Sequence, residues 1–253
     1  MSRDCRCKRV ETMSIYIPPY ESIIKGNEKK VVVVSHGFGS SKGSPTVKTL
    51  MRVMPEAGIG LIAYDFPGHG ESITDEPELR IGTCIDCLAT MEKIASEMAP
   101  DAEICYFSSS FGAYITLIYI TTREHRGKKA FLRSAAVNMP DKYEELEEDE
   151  ERAIEEQGYA MVDHDYDRPL KITRGMRDDF RSHDLFSLYK PGDAAIKMVS
   201  GTDDEVIDPE AMRRFAEKFN IDITWIEGGD HRLGTPGAED KVMALAKEFF
   251  LGE

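Results

Sequence analysis

Ser110 stands in the stretch Ile104-Cys105-Tyr106-Phe107-Ser108-Ser109-Ser110-Phe111-Gly112-Ala113-Tyr114-Ile115-Thr116-Leu117. An apolar run suited to a buried strand ends there in small residues, and an apolar, helix-like segment follows at once. A serine at such a corner is held in a strained backbone with its hydroxyl turned away from the sheet. Small residues two positions to either side let strand and helix approach closely, and Ser108 and Gly112 occupy those positions. A serine hydroxyl is inert at its own pKa. It becomes a nucleophile when an imidazole takes its proton and a buried carboxylate holds that imidazole in the right tautomer. Ser110, Asp204 and His231 each lie just past an expected strand, so they can meet at one sheet edge although they are far apart in sequence. Of the six histidines, His36 and His69 precede the serine, His125, His164 and His183 fall in a helix end or in a polar insertion, and His231 alone follows the acid-bearing strand. The chemistry such a set performs is acyl transfer through a covalent intermediate. Other readings stay open at this point: the serines as caps of the helix starting near Phe111, and Asp203, Asp204, Glu205 and Asp208 as ligands of a hard cation, although their spacing follows no known calcium loop.

The elements that must position these groups follow from the apolar pattern. Val31-Val32-Val33-Val34 reads as a strand buried on both faces, which in a chain of 253 residues means a parallel sheet covered by helices. Directly after it, Ser35-His36-Gly37-Phe38-Gly39-Ser40-Ser41 is a glycine-rich loop without the Gly-Lys-Ser/Thr ending of a phosphate loop. The backbone N–H of Phe38 is a candidate donor to an oxyanion, and the same loop also reads as a plain tight turn. Strands are expected from Val10 to Ile17, from Tyr20 to Ile24 as its hairpin partner, and at Leu61–Tyr64, Glu103–Phe107, Ala130–Val137, Ala194–Ser200 and Ile221–Ile226. Helices are expected at Thr46–Met54, Arg80–Met98, Phe111–Thr122, Pro209–Lys218 and Glu239–Phe250. His69, between glycines in Asp65-Phe66-Pro67-Gly68-His69-Gly70-Glu71-Ser72, reads as part of a rigid loop bordering the site. From Asp141 to Glu156 acidic residues dominate, and the chain stays polar without strand signal to about Tyr189. The insertion, about 139–190, suits a small helical cap, and its charge run equally suits a solvated helix face.

Composition narrows the function classes. A formal net charge of -14 argues against nucleic acid and, less firmly, against anionic substrates. No apolar run approaches a membrane span, and the polar, basic start of the chain lacks the apolar segment of a secretory signal, so a soluble, cytoplasmic protein is expected. Five cysteines make an odd count, which fits a reducing compartment. Cys5-x-Cys7 and Cys84-x-x-Cys87 have the types to hold zinc, but the second pair falls in a helix, so neither metal nor cofactor is expected. Cys105 reads as a small core residue. With 41% hydrophobic residues, one α/β domain is the natural organisation.

The chain resembles serine hydrolases of the α/β-hydrolase superfamily, near the small esterase, monoacylglycerol-lipase and acyl-aminopeptidase-like branches. The resemblance rests on His36-Gly37-Phe38-Gly39, Asp65 to Ser72, Ser108 to Gly112, Gly201-Thr202-Asp203-Asp204-Glu205-Val206 and Gly229-Asp230-His231-Arg232, in the superfamily's serine, acid, histidine order. It implies Ser110 as nucleophile, Asp204 as orienting acid, His231 as base, and the N–H groups of Phe38 and Phe111 as the oxyanion hole. Asp203 is the neighbour most easily confused with Asp204. The one departure is Ser108, where the pattern G-x-S-x-G has glycine. The substrate implied is a small-molecule carboxylic ester. Thioesterase and aminopeptidase-like chemistry, or a non-catalytic binding protein on the same scaffold, are the alternatives, and oligomeric state stays open.

Overall fold

The computed structural model describes residues 16–72, 78–142, 147–163 and 166–252. The strand expected from Val10 falls largely outside these residues, as do Cys5, Cys7 and His164.

The four valines divide between two layers, as the period of two along a strand requires. In β2 (Lys30–Ser35), Val31 and Val33 join a buried cluster with residues of α2 (Ile81–Met98) and α3 (Phe111–Thr122). Val32 and Val34 join another with residues of α1 (Pro45–Glu56) and α9 (Ala238–Leu251). The next strand, β4 (Glu103–Ser109), repeats the division: Ile104 and Tyr106 face the first cluster, Cys105 and Phe107 the second. Each such fully buried large side chain contributes about 1.5–3 kcal/mol. α3 is buried from Phe111 to Tyr119, so the helix behind Ser110 lies inside the protein.

Among the described residues the main sheet has seven strands. Its order is β1 (Tyr20–Ile23), β3 (Ile59–Tyr64), β2, β4, β5 (Lys129–Arg133), β8 (Ala195–Gly201) and β9 (Asp222–Ile226), parallel except for β1, which runs antiparallel to β3. The expected hairpin partner of β1 lies largely outside the described residues; among those described, β1 pairs with β3, Tyr20 opposite Tyr64. The chain goes from β2 outward to β3 and then returns to place β4 on the other side of β2. The order reverses there, and a crevice opens at the carboxyl ends of β2 and β4. After β9 the chain leads into α9; between β8 and β9 lies α8 (Pro209–Phe219), which Asp208 caps by accepting from the Glu210 N–H at 2.9 Å.

β5 ends at Arg133 rather than at Val137, because Ser134 turns the backbone to φ 46°. The insertion that follows holds α4 (Met139–Lys142), α5 (Glu148–Gln157), β6 (Tyr159–Val162), β7 (Leu170–Thr173), α6 (Arg174–Ser182) and α7 (Leu185–Leu188). The small helical insertion expected here has its helices, but the absence of strands is corrected, since β6 and β7 form an antiparallel pair. Each strand is only four residues long, with Ala160, Val162, Leu170 and Ile172 buried between more exposed neighbours. Alternation that short is lost in a polar composition. Cys84, Cys87 and Cys105 are buried core residues, and burial pushes the thiols of Cys87 and Cys105 up to about 12.

Candidate active site

Ser110 sits at the corner between β4 and α3 with φ 49° and ψ -115°. A non-glycine residue there costs on the order of 1–3 kcal/mol and persists only where its surroundings enforce it. Three enforcing contacts are evident. The Ser110 N–H donates to the Arg133 carbonyl at 2.9 Å. Gly112 lies so close to the end of β2 that an added Cβ would stand 2.5 Å from the carbonyl oxygens of both Ser35 and His36. Ser108, which replaces the expected glycine, is buried and its hydroxyl pairs with that of Thr116 at 2.8 Å, one helical turn into α3. The pair satisfies both hydroxyls in a space where a larger side chain would separate strand from helix.

The structure brings the three sequence-selected side chains together. The Ser110 Oγ is 3.1 Å from the His231 Nε2, and the His231 Nδ1 is 3.0 and 2.9 Å from the two carboxylate oxygens of Asp204. Asp204 is buried, and its Oδ1 also accepts from the N–H groups of Val206 (2.9 Å) and Ile207 (2.7 Å), which fix the carboxylate in place. Asp203 is exposed and its Oδ1 accepts from the Thr202 hydroxyl. Asp208, another member of the acidic loop, caps α8.

His36 and His69 serve a different purpose. The His36 Nε2 accepts from the Phe66 N–H (3.1 Å) while its Nδ1 pairs with the Gly37 carbonyl (2.7 Å). The His69 Nε2 accepts from the Gly39 N–H (3.0 Å) while its Nδ1 pairs with the Pro67 carbonyl (2.9 Å). A carbonyl only accepts, so both rings are neutral with the proton on Nδ1. Burial lowers their pKa values to about 4 for His36 and about 3 for His69. They lock the loop after β2 to the loop after β3 and leave the Phe38 ring packed edge-on against Phe111, at 5.3 Å between centroids. Both histidines adjoin glycines in sequence, which was the available sign that they support backbone.

The insertion reaches the same place. Tyr166 covers Gly39 so closely that an added Cβ would enter its ring, the Asp167 N–H donates to the Gly39 carbonyl (2.8 Å), and the Ser41 hydroxyl donates to the Asp167 carboxylate (2.9 Å). Sequence reasoning missed this attachment, for which no local pattern exists. The cleft holds about 950 Å³ and is lined by Phe38, Ser110, Phe111 and His231 together with Met139, Glu150, Val162 and Tyr166 of the insertion.

Residues 26–179, more than half of the sequence, match the family described as serine aminopeptidase, S33. The chain belongs to this family. Its fold is shared with solved α/β hydrolases. A putative hydrolase from Agrobacterium vitis S4 is 18% identical with a TM-score of 0.77, covering 91% of this chain and 92% of that one. Est1E from Butyrivibrio proteoclasticus, solved with ferulic acid bound, is 17% identical with a TM-score of 0.73 over 92% and 94%. Mouse alpha/beta hydrolase domain-containing protein 10 is 17% identical with a TM-score of 0.71 over 92% and 94%. Among curated proteins none matches this member of the S33 family. Likeness at such identity carries the α/β-hydrolase fold, and the chemistry has to be argued from the site itself.

Proposed function

We propose that this hydrolase cleaves carboxylic esters of small or medium neutral substrates through an acyl-enzyme on Ser110. The observation that carries the reading is the unbroken line of hydrogen-bond distances from Ser110 through His231 to the buried Asp204. In the first step His231 Nε2 takes the hydroxyl proton as Ser110 Oγ attacks the ester carbonyl, and the imidazolium returns the proton to the departing alcohol. In the second step water attacks the acyl-enzyme with His231 again as base, and the acid leaves with Ser110 restored. The N–H groups of Phe38 and Phe111 serve as oxyanion donors. Phe111 opens α3, so its N–H has no acceptor within the helix and points from the positive end of the helix dipole. The insertion acts as a cap, and with Glu147, Glu150, Asp167, Glu205 and Glu239 in the cleft lining its field disfavours anionic substrates.

Those carboxylates also favour a second reading, an aminoacyl substrate whose ammonium they attract. A panel of p-nitrophenyl acyl esters beside an aminoacyl anilide separates the two: preference for the anilide overturns ester specificity, and a maximum among the neutral esters supports it. A fluorophosphonate probe tests the serine. Labelling of the parent that disappears in a folded Ser110→Ala variant, with loss of ester hydrolysis, is expected; labelling that persists, or none in the parent, refutes the nucleophile and favours a binding protein on this scaffold.

A further inference from the structure

The end of β5 touches both halves of the site, and Arg133 also lines the cleft. Arg133 lies opposite Ser109 in register, and its carbonyl accepts the Ser110 N–H at 2.9 Å. Its guanidinium Nε donates to the Ser109 Oγ at 3.0 Å, and its Nη1 donates to the Arg232 carbonyl at 2.5 Å. One planar group thus joins the residue before the proposed nucleophile to the residue after the proposed base. The next residue does the same work from the other side. Ser134 is fully buried at φ 46°, its N–H is held by the Val199 carbonyl at 2.8 Å, and its Oγ donates to the His231 carbonyl at 2.9 Å. The unusual backbone of Ser134 is what turns its hydroxyl toward the histidine loop while Arg133 remains in the sheet.

We infer that Arg133 and Ser134 are positioning residues that set the separation of Ser110 and His231, by clamping the elbow and the histidine loop to one strand end. The inference rests on the reading of Ser110 and His231 given above. The hydrogen bonds of these side chains go to the Ser109 hydroxyl and to the carbonyls of Arg232 and His231, so they act on the residues flanking the reacting groups and on backbone. A guanidinium suits the role because its fixed fork holds two acceptors at a set distance, which a lysine ammonium on a flexible stem does less well. Displacement of a catalytic group by an ångström is enough to cost on the order of 10²-fold in rate, with substrate binding little changed.

The test compares the parent with Arg133→Met, Arg133→Lys and Ser134→Ala, the last removing only a hydroxyl. On a p-nitrophenyl ester, Arg133→Met is expected to lower kcat about 10–100-fold with KM within about twofold, to slow fluorophosphonate labelling by the same factor, and to be partly rescued in Arg133→Lys; Ser134→Ala should lower kcat about tenfold. The second readout is the exchange rate with water of the His231 Nδ1 proton, followed by NMR, which should rise in Arg133→Met and Ser134→Ala. Unchanged kcat and exchange in both variants overturn the inference, as does a loss confined to KM, which would make Arg133 a substrate-binding group. The proton measurement needs no turnover. If the parent proves inactive, the nucleophile assignment fails while unchanged or faster exchange still decides whether the clamp exists.

Discussion

Two adjacent aspartates show how narrowly the site is defined. Asp204 sets both carboxylate oxygens against the Nδ1 of His231 and accepts from two backbone N–H groups, whereas Asp203 faces solvent with a threonine hydroxyl as its partner. Asp204→Asn should therefore lower kcat by about 10⁴ by favouring the wrong imidazole tautomer, while Asp203→Asn stays near the parent on the same ester. Equal losses would refute the register. The types and order of the three side chains were legible in the sequence because each follows a strand, and strand ends gather in an α/β sheet. Asp204 was named from its place past a strand and again by its place in the motif, but strand-end position alone does not separate it from Asp203. What separates them is tertiary: Gly201 packs against the Gly229 backbone with no room for a Cβ, which fixes how the acidic loop turns toward the histidine loop.

At the scale of elements, the strong signals were those that bury two faces, such as β2 and β4, and the weak ones were the four-residue strands of the insertion. The connection from β6 to β7 ends in a strap, Tyr166 and Asp167 on Gly39 with the Arg168 guanidinium donating to the Gly68 carbonyl, that joins the cap to both loops held by His36 and His69. Losing an oxyanion donor outright costs about 10²–10³ in rate. Asp167→Ala removes the carboxylate that receives Ser41 and only loosens the loop bearing Phe38, so a smaller loss in kcat, on the order of tenfold, is expected. A stopped-flow measurement of acylation that finds the parent's rate in this variant would show that the strap has no hold on the donor.

For the molecule as a whole, His36 and His69 make stability depend on pH. Their native pKa values, about 4 and about 3, lie below the ordinary 6.5, so the native state resists binding protons that the unfolded chain accepts. The stability this represents is complete above pH 6.5 and is lost as pH falls toward the native values, by up to about 1.4 kcal/mol per pH unit for each histidine. Calorimetric Tm should fall between pH 7 and 4.5, and His69→Gln, less stable at pH 8, should show a shallower fall. A variant curve parallel to the parent's would assign the acid sensitivity to other groups. Among the described residues no helix is long and apolar enough to cross a membrane.

The hydroxyl pair of Ser108 and Thr116 makes the elbow signature a property of two positions read jointly. A search for glycine two places before the elbow serine passes over this chain; one that admits serine there when threonine stands eight residues later retrieves it. The rule has an energetic counterpart. Ser108→Gly alone strands a buried threonine hydroxyl and should cost about 1–3 kcal/mol, while adding Thr116→Val should return part of that loss. Strictly additive losses in a denaturation cycle would mean that the two positions vary independently and that the wider search gains nothing from its second term.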